Sequence, residues 1–215
     1  MWYVYVPNHD ELLEADNIVM DFRVNAISHA RILFQECLTL QTWSWLRNLF
    51  TIGDPIQIKN DDQVYFNGYI QNMETQKTQS GYQLGIVLYD PLGRLIKMPY
   101  KGGFSGRFKD LIEHEICQYI GICNRIESDA IVNIRYDQEM TRLALLYDAC
   151  ALARFQTDVT KFGFYYNHQL NALCELNDEE AHTMLQSLSN TNRIAINQTY
   201  SYPIANVIQV TNIRG

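Results

Sequence analysis

Between Ile18 and Leu88 apolar side chains recur at every second position in five short stretches, a period that few folds accommodate. Ile18, Met20, Phe22 and Val24 alternate with Val19, Asp21 and Arg23. Ala30, Ile32 and Phe34 repeat the pattern, as do Ile56 with Ile58, Val64 with Phe66, and Leu84, Ile86 and Leu88. Successive side chains of a strand point to opposite faces, so each stretch predicts a strand with one buried face. Gly53-Asp54-Pro55, Asn60-Asp61-Asp62 and Gln79-Ser80-Gly81 supply turn chemistry between them. Several such strands predict a small antiparallel β-barrel over residues 1–100. Leu40 to Phe50 reads as a short helix or loop carrying Trp43 and Trp45.

After Pro99 the period changes, and the overall class becomes α+β. Lys101-Gly102-Gly103-Phe104-Ser105-Gly106 reads as a flexible connector into an α/β insert over residues 101–190. Phe108, Leu111, Ile112, Ile116, Tyr119 and Ile120 share one helical face, and Gly121 supplies a stop. Ala130, Val132, Ile134 and Tyr136 form a strand pattern, as does Phe162 to Tyr166. The helices are expected to pack on a sheet built from those two strands. Asp137 is placed to cap a second helix with Leu143, Leu146, Tyr147, Cys150 and Ala151 inward. Asn177 followed by Glu180 resembles a capping box for a third helix, with Ala181, Met184, Leu185 and Leu188 inward. Ile194–Tyr202 and Val207–Val210 return as strands in residues 191–215.

The 215 residues carry a formal charge of −7 from 17 basic and 24 acidic groups, which opposes a protein that grips nucleic acid by counterion release. Residues 191–215 differ, holding Arg193 and Arg214 and no acid. Tyrosine occurs 14 times, which suits half-buried strands and interfaces because the ring buries area while the hydroxyl stays hydrated. The five cysteines are odd in number and without short repeated spacing, which predicts reduced thiols. The opening Met-Trp-Tyr-Val-Tyr-Val-Pro lacks a basic leader, and no apolar run approaches the roughly 20 residues of a membrane span. The expectation is synthesis in a cytoplasm and no membrane segment.

Catalytic patterns are weak. Glu113-His114-Glu115 is the densest titratable cluster, but neighbours one apart do not share a helix face and no second histidine stands four residues away. It reads as a solvated helix face. Cys117 and Cys123, six apart, fit neither a zinc knuckle nor a redox pair. No Gly-x-Ser-x-Gly elbow is present, and Gly102-Gly103 with Gly106 lacks the Gly-Lys-Ser/Thr ending of a phosphate loop. No catalytic, cofactor-binding or metal-binding residues are assigned.

Phe50–Arg94 contains Gly53-Asp54-Pro55-Ile56-Gln57-Ile58, then Val64 to Ile70 with Gly68 inside it, then Tyr82–Asp90 ending Asp90-Pro91-Leu92-Gly93-Arg94. This order resembles the first barrel of contractile-tail hub proteins, both the late-control-protein-D type of phages and the hub part of type VI secretion spike proteins. Asp21-Phe22-Arg23-Val24 through Ala30 to Phe34 looks like their opening strand pair, and Phe108–Ile122 like their insert helix. Tyr202-Pro203-Ile204-Ala205-Asn206-Val207-Ile208-Gln209-Val210 is similar to the strand that opens their second barrel. The resemblance implies a structural baseplate hub in the virion tail, not an enzyme, that needs no cofactor. It would join the tail tube protein to the spike protein among other baseplate proteins, as a homotrimeric ring whose channel passes DNA without binding it. Gly53, Asp54, Pro55, Gly68 and Asp90 become candidate turn and bend positions of the barrel. Ile194, Ile196, Val207, Ile208 and Val210 become candidates for subunit-contact strands, because hub proteins continue through a full second barrel whose opening strands alone are represented here. The alternatives are the hub of a secretion or pyocin-like device, and a tail-borne cell-wall glycan hydrolase.

Overall fold

The computed structural model describes residues 2–79, 81–157, 163–176, 194–201 and 205–212, the last two segments as backbone. They fall into two compact units. The first comprises Met1–Arg23, Ile27–Asp90 and Gln186–Gly215; the second comprises Val24–Ala26 and Pro91–Leu185.

All five alternating stretches of the first unit are strands: β3 (Asn17–Arg23), β4 (His29–Leu38), β5 (Pro55–Asn60), β6 (Gln63–Lys77) and β7 (Tyr82–Tyr89). Two strands precede them, β1 (Trp2–Val6) and β2 (Glu11–Glu14), which alternation did not reveal because Trp-Tyr-Val-Tyr-Val is apolar throughout. With β13 (Ile194–Ser201) and β14 (Ala205–Asn212) they make one antiparallel sheet, ordered β13-β14-β3-β4-β7-β6-β5-β1-β2. The C-terminal hairpin, expected to open a second barrel, instead extends this sheet: β14 pairs with β3 from Val207↔Arg23 to Asn212↔Ile18.

One face of the sheet is a core. Val4, Val6, Ile18, Met20, Ile32, Ile56, Ile58, Phe66, Ile70, Leu84, Ile86 and Leu88 are all buried. Phe22 on β3 and Phe66 on β6 bring their ring centroids within 6.1 Å, although three strand spacings, about 14 Å in a flat sheet, separate their strands. The sheet therefore curls around its apolar face. Bulges between Phe34 and Leu38, Ile58 and Lys59, and Ile70 and Asn72 add local bend. Among the described residues the pairing does not close into a ring, and β13 and β2 are its ends. Helix α1 (Leu40–Asn48) starts where the Thr39 hydroxyl accepts the Thr42 N–H at 3.1 Å, and Trp43 stacks on Tyr82 at 5.3 Å.

The second unit begins with a 3₁₀ turn, Pro91–Lys97, that buries Leu92 and Leu95. The expected flexible connector is an ordered strand, β8 (Pro99–Arg107). It pairs antiparallel with β10 (Ile131–Thr141). Gly103 serves close approach here, since a Cβ would lie 3.1 Å from the Ile134 carbonyl oxygen. The next helix is not uniform: α2 (Phe108–Leu111) widens into a π-helix over Ile112–Cys117 and closes with α3 (Gln118–Ile120), with Gly121 at φ 71° as the left-handed stop. Strand β9 (Cys123–Arg125) pairs parallel with β12 (Ala172–Leu176), which pairs antiparallel with β11 (Gly163–Asn167). The two strands expected to share a sheet, near 130–136 and 162–166, lie in different sheets.

Helix α4 (Arg142–Thr157) starts five residues after the expected cap, because β10 runs through Asp137; Thr141 accepts the Ala144 N–H at 3.1 Å instead. Its buried face is Arg142, Leu145, Leu146, Ala149, Cys150 and Ala153. Tyr147, expected inward, is exposed on one side and lays its ring near Phe164. Two alanines let the helix sit close to its neighbours, and a salt-bridged arginine takes the place hydropathy reserves for an aliphatic residue. The third helix expected from Asn177 lies outside the described residues. None of the described helices is long and apolar enough to cross a membrane.

Candidate assembly sites

The five turn and bend positions form two hydrogen-bonded junctions in the first unit. At the first, Gly53 adopts φ 95°, a conformation that disfavours side chains, and its N–H donates to the Ile70 carbonyl at 2.8 Å. The Ile70 N–H returns a bond to the Asp54 carbonyl at 3.0 Å. The Asp54 carboxylate accepts the Thr51 N–H at 3.0 Å with one oxygen and the Asn8 amide at 2.9 Å with the other. Pro55 then opens β5 opposite Tyr69, where its fixed φ sets the strand's entry. Gly-Asp-Pro thus clamps the start of β5 to the middle of β6. Gly68 lies on the same stretch of β6, and a Cβ there would sit 2.5 Å from the Tyr89 carbonyl oxygen and 2.7 Å from the Phe66 ring.

At the second junction the Asp90 side chain is buried and accepts the Ser28 N–H at 2.7 Å. The Asp90 N–H donates to the Ser28 carbonyl at 3.0 Å, and the Ser28 hydroxyl accepts the Arg23 N–H at 3.0 Å. A buried carboxylate at the end of β7 thereby fixes the turn that joins β3 to β4. Beside it Asp21, also buried, takes Arg23 at 2.8 Å and His29 at 3.4 Å on one oxygen. Burial lowers the His29 pKa, Asp21 acts to raise it and Arg23 to lower it again.

Of the contact-strand candidates, Ile194 and Ile196 lie on β13, the end strand, while Val207, Ile208 and Val210 lie on β14 between β13 and β3. Among the described residues the unpaired backbone edge of the hairpin is that of β13. At the opposite end, β2 (Glu-Leu-Leu-Glu) is short and acidic, two of the devices that blunt an exposed edge.

The titratable cluster of the second unit has a structural partner that the sequence did not indicate. Arg142, 8% exposed, donates to the Glu115 carboxylate at 2.6 Å and to the Glu115 backbone carbonyl at 2.7 Å. Its guanidinium lies 3.3 Å from the Tyr119 ring centroid. Glu115 is therefore not part of a solvated face. The arginine holds a carbonyl within the π-helix and so supports the widened turn. His114 faces Gln118 at 3.4 Å, on the other side. Burial, with Glu113 nearby, pushes the Cys117 thiol up to about 12. Among the described residues no group of three or more His, Cys, Asp or Glu side chains is arranged to hold a metal ion.

No protein-family model matches the chain. No curated relative matches it in sequence either. The fold is similar to that of the 43 kDa tail protein of prophage MuSo2 from Shewanella oneidensis, with a TM-score of 0.62 and 13% identity over 82% of this chain and 55% of that one. It is also similar to the tail protein from Neisseria meningitidis MC58, with a TM-score of 0.52 and 12% identity over 81% of this chain and 49% of that one. The chain spans about half the length of these structures. The likeness to phage tail proteins that the motifs carry is thus present in the fold as well.

Proposed function

We propose that this chain is a structural component of a phage tail, the hub of a baseplate that joins the tail tube to the central spike. The observation that carries the reading is the fold likeness to a prophage tail protein over 82% of the chain. The ordered set of Gly53-Asp54-Pro55, Gly68 and Asp90, each with a geometric task in holding the curled sheet, supports it. In this reading the first unit is a tube-like barrel, closed by contact with neighbouring copies. Three copies form a ring on the tail axis, and the hairpin β13–β14 contributes its free edge to the next subunit.

A ring that must let DNA pass gains from a wall that does not hold phosphate. The formal charge of −7 suits that task, because like charge removes the electrostatic grip. The tail tube protein, the spike protein and other baseplate proteins are the partners, and the protein acts by geometry, without catalysis or cofactor. Particles assembled without this chain test the role: tail tubes lacking a spike are expected, and intact spiked tails would overturn it. Incubation with peptidoglycan is expected to release no soluble fragments.

A further inference from the structure

The second unit contains a two-stranded ribbon, β8 with β10, whose outward face the role above does not use. Two depressions of 430 and 320 Å³ lie on it and share Gly103 and Arg135. A third, of 490 Å³, lies at the Pro99–Thr141 end of the same ribbon. They run from the end of the 3₁₀ turn at Ile96 along positions 99–105 of β8 and 133–141 of β10, roughly 25 Å of extended chain. Between Tyr136 and Met140 the ladder loses register, so Asp137, Gln138 and Glu139 have no paired position on β8. Opposite this gap stands Lys101 alone, followed by Gly102 and Gly103, which pair with Tyr136 and Arg135. Glycine in a strand marks a place where another backbone can approach closely.

From this geometry we infer that the ribbon is a binding site for an extended peptide segment of a partner protein, carrying an acidic side chain and an apolar one. The unpaired positions of Asp137, Gln138 and Glu139, with side-chain-free Gly102 and Gly103 beside them, suit a ligand read through its backbone. The acidic residue is matched to Lys101 and Arg135. Among the described residues Arg135 pairs with Asp137 at 3.4 Å, and both side chains are more than four-fifths exposed, so a ligand carboxylate displaces that pair at little cost. The apolar residue is matched to the far depression, where Ile96 and Met140 are 40% and 39% exposed. A sugar polymer would use the rings and hydroxyls but has no use for the ladder gap.

The test is selection of displayed random short peptides on the intact protein. The selected peptide is then measured by fluorescence anisotropy against Lys101→Glu, Met140→Glu and, as a control in the other unit, Lys77→Glu. Both ribbon positions are exposed, so the melting temperature should be unchanged. Binding should fall tenfold or more in each ribbon variant and not in the control. Amide exchange on the unaltered protein should slow at residues 101–103 and 137–139 when the peptide is added. Failure to enrich any peptide, equal binding by the ribbon variants, or unchanged exchange would overturn the inference. So would binding of peptidoglycan fragments that the ribbon variants abolish, which would assign the groove to a glycan.

Discussion

Replacing Gly68 with alanine tests whether the curl of the sheet depends on close approach at one position. The added methyl would stand 2.5 Å from the Tyr89 carbonyl oxygen and 2.7 Å from the Phe66 ring, where ordinary contact needs roughly 1 Å more. Tyr69 pairs with both Pro55 and Tyr89 next to this point, so β6 cannot move without disturbing β5 and β7 together. Overpacking a fixed site of this kind costs about 3 kcal/mol, near 6–12 °C of melting temperature for a chain of this length. Gly85 on β7 provides the internal comparison. Its nearest neighbours would be 3.7 Å from a Cβ, ordinary contact, so Gly85→Ala should change stability by less than about 1 kcal/mol. Urea unfolding followed by tryptophan fluorescence measures both. Equal midpoints for the two variants would refute the argument that Gly68 is required by contact.

Asp90→Asn keeps the shape but weakens the bond to the buried Ser28 N–H, and should cost about 1–3 kcal/mol by the same assay. Arg142→Ala leaves Glu115 and a π-helix carbonyl without their donor and should destabilise the second unit by about 3 kcal/mol, seen as faster amide exchange over residues 112–120. Among the described cysteines, exposed Cys123 should react first with iodoacetamide, and Cys117 should stay unlabelled from pH 7 to 10 until the protein unfolds. The Cys117 thiol holds its proton in the folded state up to about 12, whereas the unfolded thiol releases it near its ordinary value of 9.0. Its contribution to stability is thus full below pH 9 and lost as pH rises toward 12; a rise in urea midpoint across that window would contradict the assignment.

Period-two alternation made the five central strands legible because one face of each is core and the other is wet. β1 was hidden because its outward residues are Tyr3 and Tyr5, which count as apolar in a pattern yet remain half-exposed. The glycines misled in the opposite direction. Gly102, Gly103 and Gly106 suggest a flexible connector, and only the partner strand β10 shows that they lie in a ladder. Thr141, rather than Asp137, caps α4 because the strand before it extends further than its apolar residues do. Arg142 on the buried face of α4 carries no hydropathy signal at all; its place depends on Glu115, 27 residues away in sequence. Gly53-Asp54-Pro55 and Asp90 each make the local backbone hydrogen bonds that turn chemistry of this kind leads one to look for. The pairing of β14 with β3 joins distant segments, and neither strand's own pattern names its neighbour.

The central claim is a place on the tail axis, and a cryo-EM reconstruction of the native particle measures it directly. The account predicts three copies around the axis between tube and spike, each with the β13 edge against the next subunit and an open channel at the centre. A single copy per particle, or density for this chain away from the axis, would contradict it.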